Sequence, residues 1–253
     1  MNERFNPDLP NVPTVLVNHD VLRRRLLLLF TLPFFITLVL VVMFFSLSKC
    51  LTEVEVGTQV VTIERFLASD QNYAWAVDQY RRIAETRPSA PILARLGTLY
   101  FLLDPKDPKN QDLALEKLEA AKAIDSNYWE IYRSLTYIYL ATGRLAEAIE
   151  AGKKALELNA NDANTYNNLA WIYATSSEPA LSDLRRAQEY GEKAVRLTKE
   201  KQPDFLDTLA RVYFNQGDRD RALECLRKAK AATLDDVQKV EAQFKKLFPN
   251  ETL

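Results

Sequence analysis

Histidine, cysteine and glycine are scarce in this chain of 253 residues, and each shortage excludes a class of site. His19 is the only histidine, so a histidine-paired nucleophile or a histidine-rich metal site has no second member. Six glycines leave no glycine-rich phosphate-binding loop. Two cysteines, Cys50 and Cys225, are too few for a disulfide framework or a cysteine-rich zinc module. The sequence therefore predicts that the protein is not an enzyme and has no catalytic residue, cofactor or metal ion.

An excess of charge of either sign is also lacking. Lys and Arg number 33 and Asp and Glu 34, which gives a formal net charge of −1. Without a basic field the chain has no general attraction to nucleic acid or anionic lipid. We expect no nucleic-acid partner and no small-molecule substrate. With 47% hydrophobic and 26% charged residues, the composition is that of a folded protein rather than a disordered one.

One long apolar run stands near the N-terminus. Residues 26–48 carry no charge, and 17 of these 23 residues are Leu, Ile, Val or Phe. As a helix the run is about 35 Å long, enough to cross a hydrocarbon core of about 30 Å. A cleaved signal peptide and a buried helix of a soluble domain are the alternatives, but the run is longer than either normally is. We predict an uncleaved transmembrane helix at 26–48.

The charges that flank this run predict its orientation. Arg23, Arg24 and Arg25 precede it, whereas Lys49 alone follows it. Basic residues stay on the cytoplasmic side, so the N-terminus is expected in the cytoplasm. Residues 1–25 are then a flexible tail, and residues 49–56 link the anchor to the rest of the chain.

Two ladders of apolar residues recur after residue 56. The first places a leucine four residues before a tyrosine, at intervals of 39, 34 and 40 residues. Its members are Leu96 and Tyr100, Leu135 and Tyr139, Leu169 and Tyr173, and Leu209 and Tyr213. The second consists mostly of alanines seven residues apart: Ala76 and Ile83, Ala114 and Ala121, Ala148 and Ala155, Ala187 and Ala194, and Ala222 and Ala229. Positions four and seven residues apart share a helix face, so each unit contains two amphipathic helices.

These ladders resemble the tetratricopeptide repeat, a 34-residue helical hairpin with this order of Leu, Gly or Ala, Tyr and Ala. The resemblance covers residues 57–232 and divides them at 57–89, 90–126, 129–162, 163–202 and 203–232. It implies an all-α fold, a right-handed solenoid of about five units behind one N-terminal transmembrane helix. Gly143 and Gly217 lie where the first helix of a unit needs a left-handed cap.

Two units carry five extra residues between the ladder tyrosine and the following ladder alanine, at 102–113 and 175–186, where we expect a longer turn between the paired helices. After the last unit, Thr233 to Asp236 has the form of a capping box, and Val237, Val240, Phe244 and Leu247 follow at helical spacing. Residues 233–253 are therefore predicted to be a capping helix with a short tail.

The resemblance also implies which face binds a partner. In the family, the face of the first helix opposite the Leu and Tyr ladder turns inward and lines a groove. That face holds aromatic, basic and amide side chains, which suit a peptide-binding surface. The residues are Arg133, Tyr137, Asn167, Trp171, Asp207, Arg211 and Phe214. The alternative is that some of these rings pack between repeats.

The sequence thus predicts a membrane-anchored scaffold or adaptor for a protein or peptide partner. Resemblance to bacterial members suggests that it assists assembly or localisation of an envelope complex, with the solenoid on the periplasmic side of the inner membrane. Two alternatives are a non-catalytic subunit of a membrane transport or biosynthetic complex, and a eukaryotic organelle adaptor with a cytosolic solenoid.

Overall fold

A computed structural model describes residues 19–232 and 237–249, and these residues form helices and short turns without a β-strand. The expected tail before residue 19, the capping box at 233–236 and the last four residues lie outside the described part. The helices are α1 (His19–Asp70), α2 (Tyr73–Thr86), α3 (Ala90–Leu103), α4 (Pro108–Ile124), α5 (Trp129–Ala141), α6 (Leu145–Leu158), α7 (Ala163–Thr175), α8 (Leu184–Leu197), α9 (Pro203–Asn215), α10 (Arg219–Ala232) and α11 (Val237–Leu247).

Helix α1 is 52 residues long and contributes to two compact units of the chain. The first unit extends to Val61, and the second begins at Thr62. The part of α1 from Thr37 to Asp70 is long and apolar enough to cross a membrane, and its apolar window is wholly exposed. The boundaries predicted between the tail, the anchor, the linker and the repeats do not coincide with ends of a helix. The backbone stays helical through residues 19–25 and 49–56. Gly57 alone costs a helix only about 1 kcal/mol, which does not end it.

Both ladders form the buried core of the second unit. The four ladder leucines are at most 5% exposed, and nine of the ten members of the second ladder are fully buried. Small alanines at these positions let paired helices approach closely. The all-α arrangement of paired helices inferred from the ladders is confirmed, and the four pairs from α3/α4 to α9/α10 begin within the expected units.

The core has two parts among the described residues. One cluster of buried residues is built mainly from α3 to α5 and includes Leu118 and Ile138. The other extends from α6 to α11 and includes Leu169 and Leu226. Tyr139 is partly buried and packs against both clusters.

The odd-numbered helices form an inner layer, which we call the odd layer. Helix α3 contacts α5, α5 contacts α7, α7 contacts α9, and α9 contacts α11. Successive even-numbered helices do not contact one another within the described part of the chain. Helices that are in contact in the odd layer and apart in the even-numbered layer form a curved stack. The odd layer therefore lines the concave side of this stack.

The turns inside the units differ in how they accommodate extra residues. Gly143 and Gly217 adopt φ values of 76° and 80°, which confirms the left-handed caps.

The extra residues at 175–186 lie largely in the loop between α7 and α8, as expected. Those at 102–113 do not lengthen the turn, because α4 begins at Pro108 and is 17 residues long. Asp107 caps this helix by accepting a hydrogen bond from the amide of Lys109, and proline at the first position favours a helix start.

Helix α11 completes the odd layer. It packs against α9 and α10, and Val240, Phe244 and Leu247 are at most 6% exposed. These are three of the four residues whose spacing predicted an apolar face, and the side chain of the fourth, Val237, lies outside the described part. The helix covers the end of the last unit as the next odd-numbered helix would.

The end of α1 joins the first repeat through one carboxylate. Arg95 donates two hydrogen bonds to Glu64, from Nε at 2.7 Å and from its terminal nitrogen at 2.6 Å. The hydroxyl of Tyr80 donates a third at 2.6 Å. Burial alone would raise the pKa of Glu64, but these bonds outweigh it and hold the pKa below its usual 4.5. One side chain therefore ties three helices together.

Replacing Glu64 with glutamine is expected to lower the free energy of unfolding by about 1–2 kcal/mol at pH 7, a modest value because both charged side chains stay about one-third exposed. A depressed pKa stabilises the fold above the unfolded-state pKa, and that stabilisation is lost as the pH falls through the folded-state pKa. The difference between Glu64→Gln and wild type should therefore shrink in acid. Denaturant unfolding followed by fluorescence measures it, since Trp75, Trp129 and Trp171 all lie in the second unit.

The matched control for this prediction is Glu150→Gln, which breaks an exposed ion pair with Lys153 and should change little. Equal effects of the two substitutions at pH 7 would show that the Glu64 cluster is not a stabilising junction.

Candidate protein-binding groove

The seven predicted groove residues all lie on helices of the odd layer. Arg133 and Tyr137 are on α5, Asn167 and Trp171 on α7, and the remaining three on α9. Their spacing along each helix is four residues, extended by three more to Phe214, so each set follows one helix face. Neighbouring helices of this layer are in contact, so the three sets occupy adjacent stretches of the concave side.

Arg133 marks the N-terminal part of this surface. Its guanidinium lies 4.9 Å from the ring centroid of Trp129, and its terminal nitrogen is 3.6 Å from a carboxylate oxygen of Glu130. About a third of its side chain stays exposed. The stacking and the ion pair hold the guanidinium in place while leaving donors for a ligand.

Two of the three aromatic rings pack against another ring of the protein. Tyr137 meets Phe101 edge-on at a centroid distance of 5.6 Å, and Phe214 meets Phe248 edge-on at 5.3 Å. Both nevertheless keep over a third of their surface exposed. Trp171 is half-buried, and no other ring of the described residues stacks on it. The indole is therefore the ring of this set that has no aromatic partner among the described residues, although it is less exposed than the other two.

Some polar atoms of the set are buried without a hydrogen-bond partner among the described residues. They include the amide oxygen of Asn167 on α7 and the Nε of Arg211 on α9. A buried polar group left unsatisfied costs about 1–3 kcal/mol. One is an acceptor and the other a donor, and they lie on helices that touch. Sequence patterns place these residues on a face but cannot show that their polar atoms lack partners.

Polar bonds between odd-numbered helices were not predicted from sequence. The hydroxyls of Thr98 and Ser134 lie 2.8 Å apart and join α3 to α5, and the side-chain amide of Asn215 donates to the carbonyl of Ala174 at 2.7 Å, joining α9 to α7. In the sequence, the only signal of these bonds is a small polar residue between apolar ones. Such a residue does not identify the group to which it is hydrogen-bonded.

A second concavity lies between α8, α9 and α10, with a volume of about 200 Å³. Its floor includes Leu206 and Cys225, and ion pairs such as Lys228 with Glu200 surround it. Burial raises the pKa of the Cys225 thiol to about 11. The thiol is thus neutral at physiological pH and acts as a small buried apolar group.

Comparisons with known proteins identify the repeat. Family models described as tetratricopeptide repeat match residues 131–162, 151–189 and 204–233. No curated protein sequence matches the chain significantly.

Solved structures share the fold. A thermophilic tetratricopeptide repeat protein of Thermus thermophilus superposes with a TM-score of 0.60 at 20% identity, covering 76% of this chain and 98% of that one. PilF of Pseudomonas aeruginosa gives 0.58 at 18%, covering 76% and 93%. A chain of the Cut9–Hcn1 hetero-tetramer of the APC/C gives 0.60 at 18%, covering 72% and 34%. At these identities the likeness extends to the fold alone.

Proposed function

Because the chain is a tetratricopeptide repeat protein, we propose that it is a membrane-anchored scaffold that binds an extended segment of a partner protein along the odd layer. Proteins with this repeat generally bind other proteins, and that general role applies here. The seven groove residues and the membrane anchor are the specific parts of the proposal.

The unsatisfied pair on α7 and α9 carries the proposal. Asn167 offers a buried acceptor and Arg211 a buried donor. Every peptide unit has one N–H and one C=O, so an extended chain laid across the two helices would satisfy both atoms once the two buried side chains turn toward it. The cost of leaving these atoms unpaired in the free protein then becomes a gain on binding.

Trp171 supplies the apolar part of the same site. It lies four residues after Asn167 on the same face of α7, and Arg211 is at the equivalent position of α9, 40 residues later. Trp and Arg are both enriched at binding hot spots, because the indole buries much surface for two rotatable bonds and the guanidinium offers several donors on one planar group. This arrangement favours a partner segment that offers an apolar side chain and backbone amides together.

The anchor portion supports a membrane location. The apolar window of α1 that begins at Thr37 is exposed, and exposed apolar surface of this extent is stable in lipid but not in water. The three arginines before it favour a cytoplasmic N-terminus and a periplasmic solenoid in the bacterial inner membrane. A scaffold held there is suited to assembling or localising an envelope complex.

The proposal is tested by placing a photoreactive amino acid at position 171 of the full-length chain and irradiating intact cells. We expect a crosslinked partner that stays with the membranes after alkaline carbonate washing. Protease added to spheroplasts should digest the solenoid, which the proposed topology exposes.

The control carries the photoreactive residue at position 150 instead. Glu150 is on the outer helix α6 with 75% of its side chain exposed, so contact there reports collision only. Equal crosslinking from both positions would contradict a groove, and a carbonate-soluble chain would contradict the anchor.

A further inference from the structure

A stripe of exposed apolar residues runs along α1 from the end of the proposed membrane segment, beginning at Leu47. Leu47, Leu51, Val54 and Val61 are 61%, 62%, 62% and 57% exposed. Together with Thr58, they follow one another at intervals of four, three, four and three residues. This alternation is the heptad spacing of helices that wrap around a partner helix. We call these five residues the α1 stripe.

The polar atoms along the α1 stripe do not oppose burial. Thr58 donates its hydroxyl to the carbonyl of Val54 at 2.8 Å, so it can present its methyl group to a neighbour. No residue of the stripe is charged. The next position in the same spacing is Arg65, which ends the apolar face. Ile63 and Leu67, which follow on the same helix, are buried in the second unit and do not belong to the stripe.

We propose that the α1 stripe is a parallel seam against a second copy of this chain. The proposal rests on the membrane anchoring proposed above, because anchors of one topology place two copies parallel and at the same depth. Identical heptads are then in register with each other, which a helix of another sequence is not.

The charges beside the stripe fit this pairing. In a parallel pair, the residues that face each other across the edges of the seam would be Cys50 with Glu55 and Gly57 with Thr62. Neither pair brings like charges together, so nothing at these edges opposes self-association.

The length of the seam explains why the anchor is needed. A helix of about 12–15 residues is marginal on its own in water, and two heptads bury little surface. Confinement to one membrane raises the effective concentration of the second copy. The spacing also continues backwards through Phe44 and Leu40, which are 68% and 60% exposed, so the contact can extend into the apolar segment.

The test is oxidative crosslinking in membranes from cells that express two differently tagged full-length copies. Cys50→Ser removes the exposed thiol, and Cys225 stays buried. We expect Val54→Cys to give at least about fivefold more crosslinked dimer than Gln59→Cys, because position 54 faces its own copy and position 59 lies about 140° around the helix from it. The dimer should contain both tags.

A charge placed in the seam tests the same contact without a thiol. Val54→Lys should reduce copurification of the two tags at least about fivefold by setting two ammonium groups opposite each other, whereas Gln59→Lys should leave it unchanged. Both positions are exposed, so neither substitution disturbs the fold.

Equal crosslinking at positions 54 and 59, products that join one tag to another protein, or copurification insensitive to Val54→Lys would each overturn the seam. Carbonate washing of the same membranes reports on the anchor separately. Release of the chain would contradict the proposed anchoring, while the mixed-tag crosslinks would still decide whether the stripe pairs with itself.

Discussion

Replacing Trp171 with alanine is expected to weaken binding of the crosslinked partner by about 2 kcal/mol or more, or about 30-fold in Kd. The indole is half-buried, and none of the described rings packs on it. Its loss therefore removes ligand contact without removing an internal ring pair. Affinity of the purified full-length chain for the partner segment, measured by titration calorimetry in detergent, gives the change directly.

Two controls separate binding from folding. Glu150→Ala on the outer surface should leave the affinity unchanged. Tyr137→Ala should lower stability as well as affinity, because it also removes the ring that packs against Phe101. Unchanged affinity of the Trp171→Ala variant would place the binding surface elsewhere, at 102–113 or 175–186.

Gly97→Ala is expected to lower the free energy of unfolding by about 2 kcal/mol, although it adds a single methyl group. A Cβ at this position of α3 would lie 2.8 Å from the carbonyl oxygen of Ala114 and 3.1 Å from Cγ of Leu118. The first of these is backbone and cannot move aside as a side chain would. Helices α3 and α4 must therefore separate. Denaturant unfolding followed by tryptophan fluorescence measures the loss.

Gly57→Ala is the matched control for this substitution. Gly57 is also helical, but a Cβ there would meet no atom within 4 Å. The same chemical change should leave the unfolding of the second unit unaltered and slightly favour α1. A Gly97→Ala variant as stable as wild type would mean that α3 and α4 are not in close contact at this point.

The sequence predicted the repeats well because stacking imposes one geometry on every unit. Each ladder alanine marks a place where two helices meet, so the period of the alanines is the period of the fold. The 102–113 insertion was assigned to a turn because length alone does not tell whether extra residues extend a helix. Asp107 and Pro108 start α4 early, and this local capping decides the outcome.

From the sequence, the groove could be predicted only as a set of residues on one face of each helix. Helical spacing places Tyr137 and Trp171 at equivalent positions, but their surroundings differ. Tyr137 finds Phe101 on the preceding odd-numbered helix, while the residue that would play this role for Trp171 is Leu140, which is not aromatic. The unpaired state of Asn167 and Arg211 likewise depends on neighbours that no single helix specifies.

Because the buried core falls into two clusters, we expect the two parts of the solenoid to open to solvent separately. In a repeat stack each element is stabilised by its immediate neighbours, so one part can open to solvent while the other stays closed. Arg133 and Tyr137 belong to a helix of the first part, and Trp171 to a helix of the second, with Tyr139 at the junction. A partner segment that contacts Arg133, Tyr137 and Trp171 together would link the local opening of the two parts. Binding in the groove should therefore slow amide hydrogen exchange on both sides of Tyr139.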